Sequence, residues 1–134
     1  MKTIALISAI VLGTIAVASA KGPFVATPGP DGVQHVEIIG GSYFFRPDHI
    51  VVQKGVPVEI RVRKEPGITP HNFVLEGAKE DGKKINLSLK SSEQRVIKFT
   101  PHTAGTFKFY CDKRFLFFKS HRKKGMEGTL EVRD

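Results

Sequence analysis

A single cysteine, Cys111, stands among the 134 residues, so no intrachain disulfide can staple the chain. The thiol must be an inert core residue, a reactive group or a metal ligand. No HExxH pattern occurs, which removes a common signature of zinc hydrolysis. Neither an internal repeat nor a long amphipathic helix is visible, so solenoids and helical bundles do not fit. Acidic residues are the minority: 13 Asp and Glu face 21 Lys and Arg, for a formal net charge of +8. Long apolar runs are absent except from Ile4 to Val17, and that one is short for a bilayer span of about 20 residues.

That run has the layout of a secretory signal peptide. Lys2 supplies the positive start, Ile4 to Val17 the apolar centre, and Ala18-Ser19-Ala20 an A-x-A cleavage site. Residues 1–20 are therefore expected to be removed, leaving a chain from Lys21 in the periplasm or outside the cell. A membrane anchor is the alternative, but no stable membrane insertion is expected after cleavage. With no cysteine directly after the apolar run, lipidation is not expected either. Exported proteins usually pair their cysteines, so a lone one points to a reactive or metal-bound thiolate. Export also argues against nucleic acid as the partner of the basic excess and leaves acidic proteins or anionic membrane surfaces. The plainest reading of that excess is a solvated face. It is uneven, however: Lys113, Arg114, Lys119, Arg122, Lys123 and Lys124 crowd one stretch.

Residues 21–32 are rich in Gly and Pro and read as a mobile lead-in to a domain over 33–134. Beyond them, apolar residues alternate with polar ones. Val56, Val58, Ile60 and Val62 form one such set, and Ile85, Leu87 and Leu89 another. Phe107, Phe109 and Cys111 share a face, as do Met126, Gly128, Leu130 and Val132, and His71 with Phe73 and Leu75. Breakers at Gly40-Gly41, Lys54-Gly55, Pro66-Gly67, Asp81-Gly82 and Ala104-Gly105 separate the strands. Short strands at this spacing predict an all-β antiparallel sandwich or barrel.

Parity then places chemistry at strand ends. Cys111, His121 and Met126 lie close together near the C-terminus, and His71 comes from another strand. Two imidazoles, one thiolate and a weak axial thioether form the donor set of a mononuclear electron-transfer copper site. Each residue has a plainer alternative: a turn histidine after Pro70 for His71, one more member of a basic cluster for His121, a core filler for Met126. Asn72 is a candidate hydrogen bonder near the thiolate or a cap of its own turn. His35, His49 and His102 lack such partners and read as surface residues. The run Phe115 to Phe118 is either a buried cover over one end of the sandwich or an exposed apolar patch used for docking. Asn86-Leu87-Ser88 matches a glycosylation sequon, a short and weak pattern.

The stretches FFRPDHIVVQKGVPVEIRV, PHNFVLEG, AGTFKFYCD and HRKKGMEGTLEV together resemble the cupredoxin family, the small blue copper proteins of the plastocyanin and azurin kind. The likeness runs from about Val36 to Val132. It implies a Greek-key β-sandwich, one copper ion per chain, and His71, Cys111, His121 and Met126 as its ligands. A one-electron carrier cycling between Cu(I) and Cu(II) follows, with a periplasmic copper chaperone or resistance protein as the alternative. One departure is plain: nine residues, DKRFLFFKS, separate Cys111 from His121, where the family usually has only a few. The longer loop costs only about 0.6 kcal/mol per doubling of length, but it raises the question of ligand geometry and solvent access. Five histidines are too few for a multicopper oxidase, and one cysteine is too few for a binuclear copper centre, so no enzyme is expected. The expected partner is a redox protein with an acidic docking surface facing the basic rim.

Overall fold

The computed structural model describes residues 22–79 and 81–134, so the signal-peptide reading of residues 1–20 lies outside the described residues. Among the described residues ten strands form: β1 Phe24–Val25, β2 Gln34–Gly41, β3 Phe44–Arg46, β4 His49–Gln53, β5 Val58–Lys64, β6 His71–Leu75, β7 Ile85–Leu89, β8 Gln94–Phe99, β9 Gly105–Tyr110 and β10 Glu127–Arg133. They make a six-stranded sheet, β1-β4-β10-β9-β6-β7, and a four-stranded one, β3-β2-β5-β8. The all-β sandwich expected from the sequence is therefore present. Its pairing is mixed rather than purely antiparallel, since β1 with β4, β10 with β4, and β2 with β5 run parallel. Alternation along one strand reports which face is buried and carries no information about a neighbour's direction. No helix among the described residues is long and apolar enough to cross a membrane.

One segment differs from its reading. Part of the expected mobile lead-in is strand β1, paired in parallel with β4, and Ala26 is buried with its N–H bonded to the Val51 carbonyl at 2.9 Å. Phe24 and Val25 are good strand formers, and the edge of β4 offers them unpaired backbone groups. The Gly and Pro residues instead form the turn that follows, closed by Gly32 N–H to the Gly29 carbonyl at 2.9 Å.

The alternating residues meet between the sheets. Val36, Ile38, Ile60, Val62, Leu130 and Val132 are buried around an aromatic trio of Phe45, Phe73 and Phe109. Ring centroids in the trio are 5.5, 5.7 and 5.3 Å apart, within the usual range for aromatic pairs. Burying each ring contributes about 1.5–3 kcal/mol. Gly128 makes this packing possible where β10 crosses Phe109. A Cβ there would lie 2.2 Å from Phe109 Cζ and 2.5 Å from the Asp48 carbonyl oxygen, so no larger residue fits. Strand β6 is buried along its whole length because it lies inside its sheet between β9 and β7. His71 opens that strand, Cys111 directly follows β9, and Met126 directly precedes β10. Three of the four expected donors are thus fixed to strand ends at one pole.

Candidate metal centre

His71 Nδ1 and His121 Nδ1 stand 3.0 Å apart, and Cys111 Sγ lies 3.8 Å from the first and 3.5 Å from the second. All three residues are buried. Donors sharing one ion through bonds of about 2.0–2.3 Å stand about 3–4 Å from one another, which is the spacing found. Two imidazole nitrogens and one thiol in a buried cluster form the set preferred by copper, and the site has the size for one ion.

The backbone resolves the question raised by the long loop. His121 N–H donates to the Lys113 carbonyl at 2.7 Å, and Arg122 N–H donates to the Cys111 carbonyl at 3.0 Å. These two bonds pinch off residues 114–120 as an excursion, so Cys111 and His121 approach as they would in a short loop. His121 then starts a single 3-10 turn, Arg122–Lys124, that ends at Gly125 with φ 108°. Met126 is fully buried and tied to both neighbours. Its N–H donates to the His121 carbonyl and its carbonyl accepts from Cys111 N–H, each at 3.0 Å. Gly40 leaves room for it, since a Cβ there would meet the Phe45 ring at 3.0 Å and Met126 Cε at 3.3 Å.

Asn72 holds the loop from the other side. Its N–H points at Cys111 Sγ at 3.4 Å. Its side chain donates to Asn86 Oδ1 at 2.9 Å and Asp112 Oδ1 at 2.8 Å, and accepts from Asp112 N–H at 3.0 Å. Thus β6, β7 and the residue after the thiol are linked through one amide. Three contributors carried no signal in the sequence. Ser42 Oγ lies 3.2 Å from His71 Nε2, leaving Nδ1 free to face the cluster. The Tyr43 ring packs 4.7 Å from that of His121. Lys64 is buried, with Nζ donating to the Gly67 carbonyl at 2.5 Å and the Glu65 carbonyl at 3.2 Å. Ser42 and Tyr43 belong to a turn marked only by its glycines, and the histidine that Ser42 bonds lies 29 positions away.

Burial sets the protonation of the cluster. It lowers the pKa of His71 from 6.5 to about 4, helped by the nearby positive charges of His121 and Lys64. His121 is lowered by burial and by Lys124, and burial raises the Cys111 thiol. Both imidazoles are therefore neutral and ready to coordinate at pH 7, whereas metal binding must displace the thiol proton. A stability effect follows for the metal-free protein. The unfolded imidazole of residue 71 takes up a proton near pH 6.5, and the folded one does so only near 4. Stability present above pH 6.5 is therefore lost as pH falls toward 4, by at most about 3 kcal/mol. Urea midpoints measured at about pH 7 and about pH 4.5 should differ, and His71→Gln should shrink that difference.

The other histidines lie elsewhere. His35 bonds Asp31 at 2.8 Å and His49 bonds Glu131 at 3.0 Å, while His102 is exposed. Phe115 to Phe118 are all exposed, so they do not form a buried cover. A cavity of about 440 Å³ beside His121 is lined by Tyr43, Ile68, Pro70, Phe115 and Phe118, among others.

A two-sheet sandwich with a His-Cys-His cluster at one pole defines a class of small metal-binding β-domains. Residues 5–130 match the sequence profile of the cupredoxin-like domain, and the chain belongs to that family. Among solved structures, the metal-binding domain of the Cu(I)-exporting P-type ATPase CopA of Streptococcus pneumoniae, with Cu(I), is similar. It shares 25% identity at a TM-score of 0.63, over 84% of this chain and 97% of that one. Auracyanin A, a blue copper protein of Chloroflexus aurantiacus, shares 21% identity at a TM-score of 0.59, over 76% of this chain and all of its own. Rusticyanin of Thiobacillus ferrooxidans shares 13% identity at a TM-score of 0.59, over 76% and 78%. No curated protein sequence matches the chain.

Proposed function

We propose that this protein is an exported, non-enzymatic one-electron carrier with one copper ion held by His71, Cys111 and His121, and Met126 as the weak axial ligand. Bound copper supplies a centre that alternates between Cu(I) and Cu(II). The observation that carries the reading is the prefolded, buried donor cluster at 3.0–3.8 Å spacing. Fixed donors suit both oxidation states with little rearrangement, and the apolar surround tunes the potential. Lys64 and Lys124 add positive charge near the histidines, which favours the reduced ion. Met126→Leu keeps the volume of the buried side chain and removes its sulfur. Copper should stay bound while the reduction potential, read by voltammetry, rises. An unchanged potential and spectrum would make Met126 a core residue only.

The similarity to a Cu(I)-exporter domain favours a second reading, copper handling on the same fold. Retention separates the two. A carrier keeps its copper through repeated oxidation and reduction in the presence of a chelator, whereas a handling protein surrenders it.

A further inference from the structure

The excursion between the thiol and the second histidine contains four consecutive large apolar residues in solvent. Phe115, Leu116 and Phe118 are exposed by 67%, 66% and 62%, and Phe117 completely. They do not fray at random. Phe118 N–H donates to the Phe115 carbonyl at 3.0 Å, and the two rings stack at 6.1 Å. Leu116, at φ 46°, occupies the left-handed region that a leucine rarely adopts. A tight, strained turn thus holds Leu116 and Phe117 outward, away from the core. Strain maintained at an exposed position points to use. Across the cavity, Ile68 is also fully exposed and extends the same apolar crest.

Charge surrounds the base of this crest. Lys113, Arg114, Lys119, Lys123 and Lys124 flank it, and none of them has a carboxylate within ion-pair distance among the described residues. Arg122 is compensated, by Glu127 at 2.9 Å. An apolar tip above a ring of cations that lack carboxylate partners among the described residues matches a layered ligand, acyl chains beneath anionic headgroups. A protein would need a socket for the tip and carboxylates around it in one register, whereas a lipid surface supplies both layers in any register.

We infer that the Arg114–Ser120 loop docks this protein reversibly on anionic membrane surfaces, with Leu116, Phe117 and Phe118 entering the headgroup–acyl boundary and the flanking Lys and Arg contacting phosphates. Docking of this kind turns the His121 side of the metal centre toward the membrane. The inference rests on the loop and not on the carrier reading.

The chain from Lys21, which carries every described strand, should sediment with phosphatidylglycerol–phosphatidylcholine vesicles and not with phosphatidylcholine alone. Phe117→Ser with Phe118→Ser should weaken partitioning by at least about tenfold. Lys113→Gln and Lys119→Gln should each weaken it by about fivefold. Both sets should keep the copper spectrum of the parent, which separates loop function from site integrity. The chain has no tryptophan, so Phe117→Trp places a sole indole on the tip, and its emission should shift to the blue on the mixed vesicles. The inference is overturned if the parent fails to sediment, if the double Ser variant binds equally well, or if the indole emission moves only when a protein partner is added.

Discussion

Cys111→Ser should abolish the intense visible absorption of the Cu(II) protein while leaving the sandwich folded. That absorption arises from thiolate-to-copper charge transfer, and a serine hydroxyl is a harder and poorer copper ligand at neutral pH. Affinity should fall by more than about 100-fold, the upper end of the loss seen when only a residue hydrogen-bonded to a ligand is removed. The fold should tolerate the change. Serine is smaller than cysteine, and its oxygen can still accept from Asn72 N–H in place of the sulfur. The backbone bonds from Cys111 N–H to Met126 and from Arg122 N–H to Cys111 do not involve the side chain. A cost of about 1–3 kcal/mol is expected, within the ordinary range for a buried point change. Retained colour in a folded variant would mean that the thiol does not bind copper.

Lys123→Glu with Lys124→Glu should slow electron transfer to an acidic redox partner by about 10–10³-fold at low ionic strength. Both lysines lie in the exposed turn directly after His121, and the Lys124 ammonium sits 4.3 Å over the Tyr43 ring that packs on that histidine. Charge so near the metal centre steers encounter more than it adds affinity. The difference between variant and parent should shrink as salt shortens the screening length to about 8 Å and below. Stopped-flow rates across a salt series, with the visible spectrum as a control, make the test. Equal, salt-independent rates in both proteins would reduce the cluster to a solvated face.

The core faces were legible because period-two alternation reports burial directly, as Val58, Ile60 and Val62 in β5 show. Strand direction and the pairing of β1 were not legible, since both depend on neighbours remote in sequence. Donor types likewise showed in the sequence: a lone thiol, a thioether and one imidazole at strand ends, and a second imidazole, His121, that the structure places in a turn rather than at a strand end. The means by which the long loop keeps them together did not. It lies in backbone bonds from His121 to Lys113 and from Arg122 to Cys111, which no side-chain pattern encodes. Asn72 was visible as a candidate hydrogen bonder, but its bridge to Asn86 and Asp112 appears only when β6 and β7 pair. Lys64 carried no signal in the alternating pattern, and its burial near His71 is a product of tertiary packing. Exposure of Phe115 to Phe118 was similarly undetermined, because a short apolar run reads alike as core or as crest.

Titration of the metal-free protein with Cu(II), followed by visible absorption, tests the central claim most directly. One equivalent should develop an intense thiolate-to-copper band that saturates at one ion per chain and is bleached by a one-electron reductant. A colourless endpoint, or binding that saturates without that band, would contradict a copper centre built on Cys111.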